Sequence, residues 1–312
     1  LFAIPKVRLY KAYGPSTSAM NMPLCYSFEP NRIRDKRLLS AVNDMKMLTI
    51  TSLAVFLYLA ATLLLGRRLV SGAAAGQLNR LALISLGLGA VILHAGLIYN
   101  SIFTPAGINL GFYSAASLVM GMVALLMLLA ALNQPIENLG IVVLPLAAVA
   151  LLLERFFSSP HILASDGAAN IEIHIILSLL AYSLLSIAAL QAVLLAVQDY
   201  QLRHKHPGGF MRALPPMQVM ESILFQLIAV GFFLLSLALL SGIIYLEDIF
   251  AQHLVHKTGL SILAWLVFAI LLFGRWRAGW RGRTAIRWTL AGFVALLLAY
   301  FGSKLVLELI LG

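Results

Sequence analysis

Long apolar runs without formal charge constrain this chain more than any other feature. The stretch 110–132, LGFYSAASLVMGMVALLMLLAAL, carries no charge across its length. About 20 such residues in a helix cross the roughly 30 Å hydrocarbon core of a bilayer. Lipid offers the backbone no hydrogen bonds, so a spanning segment must satisfy its own, which an α-helix does. Runs of this kind predict helices over 48–66, 79–100, 110–132, 138–154, 171–198, 222–246, 257–274 and 286–311. The expected fold is all-α, a polytopic membrane protein with about eight transmembrane helices in one bundle. Composition agrees: 61% of residues are hydrophobic and 11% charged, against about 25% charged in a soluble domain.

Residues 1–46 read differently, with eight Lys or Arg and three acids. They are expected to be a polar leader, either disordered or lying upstream of the true start near Met45 or Met47. The eight-helix domain is then 47–312. It retains 14 basic and 9 acidic residues. Those cations divide unequally between the alternating connections. Arg67, Arg68, Arg80, Arg203, Lys205, Arg212, Arg275, Arg277, Arg281, Arg283 and Arg287 fall on one side. Arg155, Lys257 and Lys304 fall on the other. Basic loops are retained on the cytoplasmic side, so both ends of the helical core are expected outside. Membrane lipid thereby accounts for the positive charge. No zinc-finger spacing or RNA-binding aromatic motif accompanies it, which argues against a nucleic-acid partner. The lone cysteine, Cys25, excludes a disulfide framework and a CxxC centre.

Function in such a chain rests on the polar residues the membrane would otherwise reject. Five of the seven histidines, His94, His161, His174, His253 and His256, lie toward the expected outer face. His161, His253 and His256 are read as loop residues there, and His204 and His206 as part of an inner loop. His94 and His174 fall within helices. Two imidazoles from different helices suit axial ligation of haem iron, and they suit interhelical hydrogen bonds equally well. Ser178 and Tyr182 follow His174 at i+4 and i+8, on one helix face. They read either as the wall of a polar cleft or as contacts between helices. The acids, Glu154 among them, fall at helix ends, and no helix carries paired intramembrane carboxylates.

Several segments resemble one family. EIHIILSLLAYSLLSIAALQAVLLA (172–196), KTGLSILAWLVFAILLFGRWRAGWRGR (257–283) and AYFGSK (299–304) are similar to helices of the CcsA/HemX cytochrome c assembly family, as is LHAGLIY around His94. The likeness is strongest to a HemX-like branch of bacterial inner-membrane proteins. The resemblance implies haem as cofactor, cytochrome c assembly proteins as partners, an inner-membrane location, and His174 at the position of an outer-face haem-ligating histidine. In the haem reading His94 is the second ligand to the iron, Ser178 and Tyr182 are polar wall residues and Trp265 an apolar wall. The chain departs from the family where a tryptophan-rich WWD loop should precede Lys257. It reads YLEDIFAQHLVHKT there, and Phe273 stands near another expected ligand position.

The leading expectation is therefore a haem-associated accessory protein that binds or presents haem near the outer face. A HemX-like regulator or scaffold without haem, and a small-solute transporter, are the competing readings. Lack of buried carboxylates weighs against the transporter. No residue pattern calls for a catalysed bond change, so the chain is read as a non-enzyme.

Overall fold

The computed structural model describes residues 30–71, 77–104, 107–109, 111–157, 162–163, 169–204, 214–245 and 252–302. The chain divides into two compact units, Leu1–Asp44 and Met45–Gly312. The helices in order are α1 Pro30–Ser71, α2 Gln77–Ile102, α3 Phe112–Asn133, α4 Gly140–Phe156, α5 Ala169–Arg203, α6 Met217–Tyr245, α7 Gln252–Ala278 and α8 Gly282–Leu297. A 3-10 turn, Glu137–Leu139, leads into α4, and a π-turn, Leu298–Gly302, continues α8.

Among the described residues, eight helices are long and apolar enough to span a membrane: Ala41–Leu69, Arg80–Ile102, Phe112–Asn133, Glu137–Phe156, Ile173–Arg203, Met217–Ile244, Lys257–Ala278 and Gly282–Gly302. Large side chains such as Phe56, Ile92, Leu146 and Phe233 point outward, as they must where lipid is the solvent. The protein-facing stripes include many small residues among larger ones such as Met127 and Leu128. On α3 the small ones include Ser114, Ala115, Ser117, Gly121 and Ala124. Small residues let helix backbones approach closely where no hydrophobic effect drives association. Gly231 on α6 is such a point, since a Cβ there would stand 2.8 Å from the side chain of Leu185 on α5. The α5–α6 pair is the most extensive contact, and α5 also packs against α3 and α8.

The connections mark two distinct ends. At one end, β1 Phe103–Thr104, β2 Gly107–Asn109 and β3 Ile162–Leu163 form a small antiparallel ribbon in the order β1-β2-β3. It joins the α2–α3 connection to the α4–α5 connection. The opposite end holds the arginines. Arg68 and Arg80 approach Glu137 at 3.5 and 3.8 Å. Arg275 and Arg281 approach Glu221 at 2.8 and 3.8 Å. The turn between α7 and α8 uses Gly279 at φ +65° and Gly282 at φ +53°, a backbone region that glycine adopts without Cβ strain.

One sequence expectation shifts. Helix α7 begins at Gln252, so His253 and His256 stand on its first two turns and not in a loop. Nothing between 252 and 257 breaks a helix, and a lysine at 257 does not start one. The side chains of both histidines, together with His161 and His206, lie outside the described residues, whereas His204 caps the end of α5 with its backbone N–H on the Tyr200 carbonyl.

Candidate functional site at the ribbon end

His94 is fully buried where α1, α2 and α3 meet. Its Nδ1 lies 3.0 Å from the hydroxyl of Tyr58, and its Nε2 lies 2.9 Å from Oγ of Ser117. Tyr58 meets the imidazole edge-on, with ring centroids 5.9 Å apart. Gly121 makes room on the far side, since a Cβ there would stand 3.4 Å from the imidazole. A neutral imidazole has one N–H and one lone pair, and here both nitrogens are engaged by hydroxyls. Iron could take the lone pair only by displacing one of them.

His174 is held differently. It is half-buried on α5, near the ribbon end, with Nδ1 3.0 Å from Oγ of Ser241 on α6. The Ser241 hydroxyl donates to the Ala238 carbonyl at 2.9 Å. Its single hydrogen being used there, Ser241 accepts from Nδ1–H, and the lone pair is left on Nε2. Nε2 lies 3.4 Å from the Ser178 hydroxyl, beyond the usual range of about 2.7–3.2 Å for a good hydrogen bond. The sequence-predicted pair thus divides. His174 presents a weakly engaged nitrogen, whereas His94 has both nitrogens occupied and shares no hydrogen-bond partner with it.

The stripe His174–Ser178–Tyr182 also fans out. Ser178 stays with His174, but the Tyr182 ring packs among Phe293, Tyr300 and Phe301 at 5.7–6.1 Å. Trp265 on α7 donates from Nε1 to Oγ of Ser236 at 2.9 Å and stacks on Phe232 at 5.5 Å.

A cleft of about 380 Å³ opens between α2, α3 and α5. Val91, Ile98, Tyr99, Gly121, Met122 and Ile175 are among its lining residues. Its volume falls toward the small end of the range of about 300–1,000 Å³ typical of small-molecule sites. Neither imidazole lines it. Gly121 separates it from His94, and Ile175 and Ile176 on its wall directly follow His174. The residues fit haem in one respect: His174 would hold iron through one weakly engaged nitrogen, on the helix whose Ile175 and Ile176 line an apolar cleft. They do not fit it in another, because His94 is not free to be the second ligand.

One polar residue here escapes a reading by motif. Both carboxylate oxygens of Glu154, near the end of α4, are buried, and the hydroxyls of Ser117, Ser101 and Ser114 stand close enough to act on them as hydrogen-bond donors. A buried carboxylate is therefore present, which removes the argument from sequence against a solute-handling role.

Comparison with known proteins places these observations in a lineage. The profile of the family described as Cytochrome C assembly protein matches residues 82–311. That range contains every segment whose likeness was read from the sequence. The inner membrane protein YpjD of Escherichia coli K12 is 36% identical over 241 residues, covering 75% of this chain and 89% of its own. A 28.8 kDa protein of Azospirillum brasilense is 32% identical over 193 residues, covering 60% of this chain and 71% of its own. The cytochrome c biogenesis protein CcsA of Prochlorococcus marinus is 31% identical over 88 residues, 28% of each chain. No solved structure matches.

Proposed function

Because this chain belongs to the cytochrome c assembly protein family, we propose that it is a haem-associated accessory protein of the inner membrane, with His174 as the iron ligand. The observation that carries this reading is the setting of His174: Nδ1 anchored on Ser241, one long hydroxyl contact at Nε2, and the adjoining Ile175 and Ile176 on the wall of an apolar cleft. The ribbon end is then the outer face, since the arginine clusters gather at the other.

Haem, when bound, supplies an iron centre and a large apolar macrocycle. The protein's share is positional. Ser241 and Ala238 fix the imidazole so that Nε2 faces away from α6. Ser178 holds that nitrogen until a stronger partner arrives. The cleft walls offer Tyr99, Met122 and aliphatic side chains against which an apolar ring gains by leaving water or lipid headgroups. His94 serves the bundle in this reading, as the hydrogen-bonded junction of α1, α2 and α3. The partners that this function implies are assembly proteins of the same pathway, and no bond change is assigned to the chain itself.

A haem-free scaffold is the second reading. The double engagement of His94 favours it, because among the described side chains the arrangement leaves one imidazole, His174, for iron. Absorption spectra of the detergent-purified protein, oxidised and reduced after haem supplementation, decide between them. The haem reading expects a Soret band that weakens in His174→Ala and persists in His94→Leu. A band unchanged in His174→Ala removes His174 from the site, and no band in the wild type supports the scaffold.

A further inference from the structure

The turn between α7 and α8 gathers more positive charge than the protein neutralises. Arg275, Arg277, Arg281, Arg283 and Arg287 all fall along 275–287. Among the described residues, Glu221 is the carboxylate that reaches them. It holds Arg275 at 2.8 Å, whereas Arg281 stands 3.8 Å away and is largely exposed. Arg277, Arg283 and Arg287 are exposed and form no ion pair among the described residues. Arg283 and Arg287 are four apart on α8, so two like charges share one helix face. That spacing costs a helix stability, and an anion lying between the two guanidiniums removes the cost.

Beneath these arginines the turn is tied down. Arg275 also donates from Nη1 to the Trp280 carbonyl at 3.1 Å, and its guanidinium lies 4.5 Å over the Phe225 ring. Trp280 folds back on α7: its backbone N–H meets the Gly274 carbonyl at 3.2 Å, and its ring leaves no room for a Cβ at Gly274. That ring also meets Trp288, with centroids 5.5 Å apart. Arg275, Trp280 and Trp288 are thus committed to the protein, whereas Arg277, Arg281, Arg283 and Arg287 face what lies around it. Trp276 shows what that is. It is 82% exposed, beside Phe273 at 61%, with ring centroids 6.2 Å apart. Large rings so exposed at the end of a spanning helix face lipid, and an indole there sits at head-group level. One span ends at Ala278 and the next begins at Gly282, so the arginines stand at the depth of lipid phosphates. Guanidinium presents paired N–H donors that match a phosphate oxyanion.

We propose that the α7–α8 turn binds the head group of an anionic phospholipid, with Arg277, Arg281, Arg283 and Arg287 on its phosphate oxygens and Trp276 beside its upper acyl chains. The recognised chemistry is a phosphate oxyanion. A lipid supplies it here because Trp276 and Phe273 offer an apolar partner that a free phosphate ion has no use for. The site depends neither on haem nor on which face of the membrane the turn occupies. Arginines that serve topology alone act through their number, whereas a head-group site acts through their positions. A zwitterionic lipid carries the same phosphate with its charge cancelled and is passed over. Each arginine near an anionic surface favours the charged lipid about fivefold. A lipid so held screens Arg283 from Arg287 and braces the turn at the membrane surface.

The test uses the full-length protein in phosphatidylcholine vesicles containing a small fraction of dibrominated phosphatidylglycerol, whose bromines quench tryptophan on contact. Quenching should exceed several-fold that from the same fraction of dibrominated phosphatidylcholine. Arg283→Gln/Arg287→Gln should bring it down to the phosphatidylcholine level. Arg67→Gln/Arg203→Gln, which removes as much charge from the same end of the bundle, should leave the excess in place. Equal quenching by the two lipids overturns the proposal, as does an excess that survives Arg283→Gln/Arg287→Gln or is lost equally in the other pair. Loss of the excess on adding inorganic phosphate, at an ionic strength where chloride preserves it, assigns the arginines to a free ion, and loss on adding a short RNA assigns them to nucleic acid. Either result overturns the lipid site. If Arg283→Gln/Arg287→Gln does not fold, Trp276→Phe decides: a reduced excess supports the site, and an undiminished one refutes it.

Discussion

Replacing His94 with leucine should reveal what the buried imidazole does. The substitution removes both hydrogen bonds of the α1–α2–α3 junction, to Tyr58 at 3.0 Å and to Ser117 at 2.9 Å. Interhelical hydrogen bonds in a membrane protein contribute about 0.6 kcal/mol each, or about 1.2 kcal/mol for the two. Ser117 can turn its hydroxyl to a carbonyl one turn back along α3. Tyr58 has no such recourse, and its stranded hydroxyl costs about 1–2 kcal/mol more. Leucine fills much of the vacated volume, so the cavity contribution is small. The expected loss is about 2–3 kcal/mol. Adding Tyr58→Phe removes the stranded hydroxyl, so the double variant should recover about 1 kcal/mol relative to additivity. Equilibrium unfolding in mixed micelles, with sodium dodecyl sulfate as denaturant, measures all three variants. Additive losses, with no coupling between positions 58 and 94, would refute the junction.

Helix packing offers a sharper geometric contrast. Gly231→Val should lose about 1–3 kcal/mol by overpacking against Leu185, whereas Gly66→Ala, with nothing within 4 Å of the new Cβ, should gain about 0.5–1 kcal/mol from reduced chain entropy. The same denaturant titration reads both. At the arginine end, Glu221→Gln should cost about 1.5 kcal/mol, because the 2.8 Å contact to Arg275 loses its charge while the Trp280 carbonyl at 3.1 Å and the Phe225 ring at 4.5 Å remain. A cost of Glu221→Gln that is the same in the wild-type and Arg275→Ala backgrounds would deny the pair. Sidedness is testable in a Cys25→Ser background. Phe157→Cys, at the ribbon end, should react with an impermeant maleimide on intact cells, and Arg277→Cys, at the arginine end, should react only after lysis. The reverse pattern inverts the topology.

The spans were legible because hydrocarbon thickness imposes one length on every crossing, and side-chain polarity alone reports it. Their ends were less so. α8 starts at Gly282, four residues before the expected 286, because the turn is made by the positive φ of Gly279 and Gly282 and not by the loss of apolar residues. His94 was recognisable by residue type and depth. Its partners were not: Tyr58 is 36 residues away and Ser117 is 23 away, and which faces of three helices meet is fixed by small residues such as Gly121 rather than by any local motif. Trp265 looked like a cleft wall from its aromatic character, yet its indole N–H is committed to Ser236. Glu154 was hidden by its address. Two residues from the end of α4, it reads as an interfacial acid, and only the inward rotation of that helix end brings it against serines from α2 and α3.

The ribbon has a bearing on how the molecule is made. β2 pairs with β1 almost at once, across a short hairpin, but its other edge must wait for Ile162 and Leu163. The chain between those two pairings contains all of α3 and α4. A ribosome delivering this protein to the membrane therefore leaves the first hairpin with one open edge while two further crossings are threaded. When the third strand arrives it ties the start of α3 to the chain leaving α4 and closes a loop that contains both crossings.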